Sequence, residues 1–227
     1  MPPRSKAAKL SEPTKKREFG AQSSFGFPPI ARGDARVLIL GSLPGAVSLA
    51  RQQYYAQPQN SFWPILGSLL GFDPHLPYAQ RAEQLRIHRI ALWDVCRSGI
   101  RPGSLDSAIR RSSVTANGFE AFFRAHPSLR AIAFNGRTAE HLFRSLVLPT
   151  LPASTAELCF LPLPSTSPAY ASLRSADKLA HWRTLLDWLE PSAPAPRHRP
   201  ASRSLRQHIG KDKSVPLDHL TVANRNR

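Results

Sequence analysis

The sequence predicts an α/β fold, a three-layer α/β/α sandwich around a central, mostly parallel four-stranded sheet. Three observations predict it. Apolar runs of four to six residues alternate with segments of helical periodicity. Each run stops at a Gly, Pro, Asn or Asp, as buried parallel strands do at their turns. Polar groups follow directly on the runs, at 41–45, 94, 135 and 165–167. Ligands of open α/β sheets bind beyond the carboxyl ends of the strands, so these groups mark one edge as the place for a site.

Each element follows in order. Residues 1–24 are polar, basic and broken by prolines, which predicts a disordered leader. Phe25-Gly26-Phe27-Pro28-Pro29-Ile30 is expected to pin the chain onto the domain. Val37-Leu38-Ile39-Leu40 forms the first strand, over residues 36–40. Gly41-Ser42-Leu43-Pro44-Gly45 breaks it: the glycines admit close backbone approach and Pro44 stiffens the turn. A loop with Tyr54, Tyr55 and Pro58 then runs to Asn60. Phe62, Ile65, Leu66 and Leu69 predict a helix over 61–70, stopped by Gly71. A second amphipathic helix covers 77–88, and a strand covers 90–95.

Residues 97–105 are turn-rich, with Arg101-Pro102-Gly103-Ser104, and Ser104 is expected to cap a short helix through Ile109. A helix over 119–125 runs up to Pro127. The third strand, 131–134, closes on Asn135-Gly136, and a helix follows over 138–147. The fourth strand, 158–163, leads into Pro164-Ser165-Thr166-Ser167-Pro168. Leu179, Trp182, Leu185, Leu186 and Leu189 mark the last helix, 175–189. After Pro191 the composition turns to Pro, Ser, Arg and His. The organisation is thus a basic leader (1–24), one domain (25–190) and a disordered basic tail (191–227).

A chain of 227 residues carrying a net charge of +16 suits one α/β domain with a polyanionic partner. The leader holds six Lys/Arg against two Asp/Glu and the tail eight against two, so most of the excess lies at the ends. The two cysteines, Cys96 and Cys159, are not in CxxC spacing, which excludes a Cys-only four-ligand metal or iron–sulfur site within one chain. No metal or other cofactor is expected. Free thiols in apolar runs fit a reducing compartment. No apolar stretch approaches the ~18 residues of a membrane span, and no apolar core follows the charged N-terminus of a secretory signal. A cytoplasmic, nucleoid-associated monomer without a membrane partner is expected. A small-molecule hydrolase is one rival, but the chain has no G-x-S-x-G elbow, P-loop or G-x-G-x-x-G. A non-catalytic DNA-binding module is another. It would explain the charge, yet no DNA-binding helix motif is evident.

Gly41-Ser42-Leu43-Pro44-Gly45, followed by Tyr54-Tyr55, Pro58, Asn60 and Phe62-Trp63, resembles the first motif of the uracil-DNA glycosylase superfamily. The hypoxanthine (deoxyinosine) branch is the best match. Ala91-Leu92-Trp93-Asp94-Val95, Phe134-Asn135-Gly136-Arg137 and Leu163-Pro164-Ser165-Thr166-Ser167-Pro168 agree with later pieces of the pattern, across about 25–190. The resemblance implies excision of deaminated bases, hypoxanthine first, from DNA by base flipping and hydrolysis of the N-glycosidic bond, at the start of base excision repair. Uracil or a mismatched base is the alternative substrate. It implies Asn60 as the catalytic residue, positioning water through its amide. It places the base among Gly41, Ser42, Leu43, Pro44, Gly45, Tyr54, Tyr55, Phe62, Asp94 and Asn135. Ser165, Thr166 and Ser167 are expected on phosphates, with Tyr170 or Leu173 as a wedge. Two positions depart from the wider superfamily. Leu43 stands where many members have a water-handling Asn or Asp, and Leu163 where other branches have a His or Asn on the leaving base.

Overall fold

The structure, a computed structural model, describes residues 23–190. The leader and tail lie outside the described residues, apart from the leader's last two positions. Four strands make the central sheet: β2 (Val37–Gly41), β3 (Ile90–Asp94), β6 (Ala131–Asn135) and β7 (Cys159–Leu163). Their order is β3-β2-β6-β7 and every pairing is parallel. β2, β3 and β6 are buried along their whole length, which is why they read as unbroken apolar runs. The expected strand bounds hold to within one residue.

A second, three-stranded antiparallel sheet was not expected. It joins β1 (Ser24–Phe25), β4 (Cys96–Gly99) and β5 (Thr115–Ala116) in the order β1-β4-β5. Ser24, placed in the leader by composition, already pairs with Gly99. Ile30 bridges to Leu92 on the edge of the main sheet, so the 25–30 segment pins the chain as its apolar residues suggest.

The helices are α1 (Ala46–Arg51), α2 (Phe62–Leu70), α3 (Tyr78–Ile87), α4 (Phe119–Ala125), α5 (Arg137–Leu142), α6 (Ser175–Trp182) and α7 (Leu186–Leu189). α1 interrupts what the sequence presents as one long loop. α2 ends at Gly71, whose φ of 75° is the left-handed cap. α5 widens into a π-helical turn over Phe143–Val147. Ser104 differs from expectation. Its hydroxyl accepts from the Ala46 N–H at the start of α1 (3.3 Å), and the short 3-10 helix Asp106–Ala108 has no side-chain cap.

Strand register sorts the core into two layers, because side chains alternate across a sheet. Leu40, Trp93, Phe134 and Pro162 share one face. There Trp93 meets Phe119 and Phe122 of α4, and Phe134 meets Phe143 beyond α5. A separate cluster links α2 to α6 through an edge contact between Phe62 and Trp182. Tyr55, Trp63 and Tyr78 extend that cluster. No described helix is long and apolar enough to cross a membrane.

Candidate active site at the carboxyl edge of the sheet

Register builds the floor of the site. Gly41 pairs with Asp94, Asn135 with Leu163, and Leu40 with Phe134, so Asn135 falls level with Gly41. Asp94, Gly41, Asn135 and Leu163 therefore form one row across the last residues of the four strands, on one face. A Cβ on Gly41 would overlap Asp94 Oδ1 and come within 2.9 Å of the Tyr55 hydroxyl. Glycine is needed there so that the carboxylate can lie over the strand. Gly136 is constrained twice: its φ is 96°, and a Cβ would stand 2.9 Å from that of Ser165.

Above the row opens a cavity of about 970 Å³. The motif loop from Gly41 through Ser42, Leu43, Pro44 and Gly45 forms one wall, with Tyr54, Tyr55 and Asn60. Ser165, Thr166, Ser167 and Tyr170 line the other side. The sequence-expected residues thus meet around one cavity, with one exception. Phe62 is fully buried and lies behind the wall, stacked on Tyr55 with ring centroids 3.9 Å apart.

The two tyrosines have different tasks. Tyr54 is core: its hydroxyl lies 3.3 Å from the carbonyls of Phe27 and Pro28, and its own carbonyl accepts from Trp63 Nε1 at 3.0 Å. Tyr55 sits at φ 53°, the left-handed region that a non-glycine residue rarely enters. Phe62 covers one face of its ring, so only the other can receive a base. Burial, with Asp94 nearby, raises the pKa of the Tyr55 hydroxyl and keeps it neutral. That hydroxyl has no partner in hydrogen-bonding geometry among the described residues.

The two asparagines differ in the same way. Asn135 Nδ2 donates to Thr166 Oγ1 at 2.9 Å, and its Oδ1 accepts from the Thr166 N–H at 2.8 Å. Both ends of that amide are engaged. Thr166, 1 % exposed, also accepts from Ser61 N–H (3.0 Å) and Ser61 Oγ (3.2 Å) through its carbonyl. Its hydroxyl already accepts from Asn135 within the buried end of the cavity. Asn60 Oδ1 accepts from the Phe62 N–H (3.0 Å) at the start of α2, which fixes the amide plane. Its Nδ2 donates to no described residue, and Asn60 lines the cavity.

Ser165 and Ser167 turn the outer loop through their hydroxyls, which accept from the N–H groups of Ser167 and Ala169, both at 3.2 Å. Lys178, missed in the sequence, donates to the Ser167 carbonyl (3.3 Å) and lies 5.4 Å from the ring centroid of Tyr170. Tyr170 stands 38 % exposed at the rim. Leu173 also lines the cavity.

One corner holds charge. Asp94 is 3 % exposed, and burial pushes its carboxyl up to about 7 against the opposing pull of Arg101, with Asp106 adding to the rise. Its Oδ2 has no partner among the described residues. The Arg101 side chain is 3 % exposed. Nη1 donates to Asp106 Oδ1 (3.0 Å), which also accepts from Ser42 Oγ (2.7 Å). Nη2 has no partner. Arg101 and Asp106 were not singled out by the sequence. Nothing local separates Arg101 from the other Arg and Lys residues, since only its tertiary burial does so. Chemically, the site offers an amide that can orient water, a ring face for stacking, a buried carboxyl and a buried cation.

A profile of the uracil DNA glycosylase superfamily matches residues 28–190. Two proteins named hypoxanthine DNA glycosylase are similar to this chain. The one from Methanosarcina barkeri is 42% identical over 113 residues, 49% of this chain and 70% of its own. The one from Methanosarcina acetivorans is 40% identical over 136 residues, 57% and 85% respectively. A solution NMR structure of a candidate uracil DNA glycosylase from Methanosarcina acetivorans superposes with a TM-score of 0.59 at 34% identity. It covers 73% of this chain and 99% of its own.

Proposed function

The chain belongs to the uracil DNA glycosylase superfamily and is a DNA glycosylase, and from that premise we propose that its preferred target is hypoxanthine. The observation that carries this reading is the lining of the cavity: a buried carboxyl at Asp94, Asn60 on the wall, and leucine at both 43 and 163. The two hypoxanthine-named relatives support it.

The target nucleotide leaves the duplex and enters the cavity, at lowest cost where pairing is already poor. The base stacks on the free face of Tyr55; such stacking is worth ~1–3 kcal/mol. Ionised Asp94 accepts through Oδ2 from the N1–H of hypoxanthine. Adenine has no hydrogen there, and binding it would leave a buried carboxylate unpaired. Water held by the Asn60 amide attacks C1′ as the bond to N9 breaks, and Tyr170 or Leu173 fills the gap in the stack. Leu43 and Leu163 remove the groups that serve uracil-directed relatives, so uracil is the poorer substrate. The reaction would open base excision repair.

The test is abasic-site formation on matched oligonucleotides holding inosine, uracil, xanthine or adenine at one position, single- and double-stranded. Hypoxanthine should leave fastest. Faster removal of uracil would move the chain to another branch of the superfamily, and binding without product would make it a DNA-binding module.

A further inference from the structure

Leu163 leaves the departing base without a polar side chain at the end of β7, and a buried cation elsewhere in the cavity is not fully paired. We propose that Arg101 supplies the missing group: its Nη2 donates to the purine as negative charge builds on it during bond cleavage. The inference rests on the reading of this site as a hypoxanthine glycosylase centre.

Four observations carry it. Arg101 lines the cavity and its side chain is 3 % exposed, too deep for the solvent-facing backbone of a DNA strand. Nη1 is fixed on Asp106 Oδ1 at 3.0 Å, and Ser42 Oγ holds the same oxygen at 2.7 Å, so the guanidinium plane is set by the motif loop. Nη2 has no partner among the described residues. Nη2 lies beside Gly45 of the motif loop, where even a Cβ would stand 3.6 Å away, an ordinary van der Waals contact. A preorganised donor in a water-poor site acts most strongly on charge that appears only in the transition state.

The step balances as follows. The C1′–N9 bond breaks and its electron pair leaves with the base. The water oxygen bonds to C1′, and the water proton ends, through solvent, on the base. Arg101 keeps its protons throughout and stabilises the anion between the two events. Asp94, in the floor row, reads the N1 side of the ring.

The test uses the full chain with Arg101→Gln and Arg101→Lys. Wild type must first excise hypoxanthine; if it does not, the functional reading fails and takes this inference with it. Single-turnover excision at saturating DNA should fall ~10²–10³-fold in Arg101→Gln and recover in part in Arg101→Lys. DNA affinity and its salt slope should stay near wild type. A second readout does not depend on turnover. DNA carrying a pyrrolidinium cation in place of the abasic sugar is titrated with and without free hypoxanthine. Wild type should bind it more tightly when the base is present to complete the ion pair, and Arg101→Gln should lose that gain. Two results overturn the proposal. A full rate at saturating DNA, with weaker and less salt-dependent binding, makes Arg101 a phosphate clamp. A rate loss with the hypoxanthine gain intact makes it a support of the loop alone.

Discussion

The two sides of the cavity floor are built to opposite rules. On the β6–β7 side every polar group is matched: the Asn135 amide and Thr166 exchange two hydrogen bonds, and Ser61 holds the Thr166 carbonyl. On the β2–β3 side Asp94 Oδ2 and Arg101 Nη2 have no partner among the described residues, and Tyr55 Oη has only the Asn135 amide nearby, outside hydrogen-bonding geometry. Buried polar groups are nearly always paired, and leaving one bare costs ~1–3 kcal/mol. The matched side therefore contributes stability. The unmatched side gives stability up to keep donors and acceptors ready for a substrate, as functional sites commonly do. Asparagine lines both sides, and its hydrogen bonds, not its identity, decide which task it has.

Mutations can break that comparison. The largest effect is expected at Asn60. Asn60→Ala should cost ~2.7–4 kcal/mol of transition-state stabilisation, read as single-turnover excision of hypoxanthine, with DNA affinity near wild type. Because Asn60 Oδ1 also holds the Phe62 N–H, Asn60→Ser is the control. It can keep that acceptor yet should remain as inactive as Asn60→Ala. A folded Asn60→Ala with near-parent excision would end the assignment.

Asn135→Ala should do the reverse. It removes both hydrogen bonds between Asn135 and Thr166 and should cost ~1–3 kcal/mol of folding stability, lowering Tm by roughly 2–4 °C per kcal/mol. Excision measured well below that Tm should fall far less than in Asn60→Ala. A large rate loss with an unchanged Tm would show Asn135 reading the base directly.

Asp94 sharpens the contrast through pH. Its folded carboxyl lies near 7, above the ordinary carboxylate value, chiefly because of burial. A raised carboxyl favours the fold below its unfolded pKa and loses that contribution as pH rises through about 7. Asp94→Asn should therefore raise Tm more at pH 8 than at pH 5 while losing hypoxanthine activity. In wild type, lowering the pH through about 7 protonates Asp94, which makes it a weaker acceptor for hypoxanthine N1–H and lets it donate to adenine N1. The ratio of hypoxanthine to adenine excision should narrow over that range. A ratio flat from pH 5 to 8 would remove Asp94 from base choice. The smallest effect is expected at Ser104→Ala, which removes an exposed acceptor of the Ala46 N–H and should cost under ~1 kcal/mol, measured by denaturant unfolding.

The sheet was legible because its strands are buried on both faces, which leaves continuous apolar runs such as Val37-Leu38-Ile39-Leu40. The row of site residues followed, since each run ends in the polar group or leucine that now stands on the floor. The β1-β4-β5 sheet was not legible. Two-residue strands carry no period, and their pairing comes from contacts as distant as Ser24 with Gly99. α1 hid in the motif loop because six residues are too few to show a helical face. Arg101 and Lys178 read as two of 31 basic residues until the fold buried them. Conversely, Phe62 reads as a substrate contact because the motif contains it. Its burial behind Tyr55 makes it a support.

The clasp at Thr166 also governs how the protein can breathe. Ser61 belongs to the segment that carries Asn60, Thr166 to the loop after β7, and Asn135 to the sheet. Three parts of the chain separated by more than thirty residues thus share one joint, and the walls on either side of the cavity cannot part like a hinge without releasing all of it. The Ser61 and Thr166 amides belong to a single opening unit, and in hydrogen exchange they should behave as one slow pair. Room for an incoming nucleotide is then to be sought at the rim, where Tyr170 and Leu173 line the cavity outside the clasp.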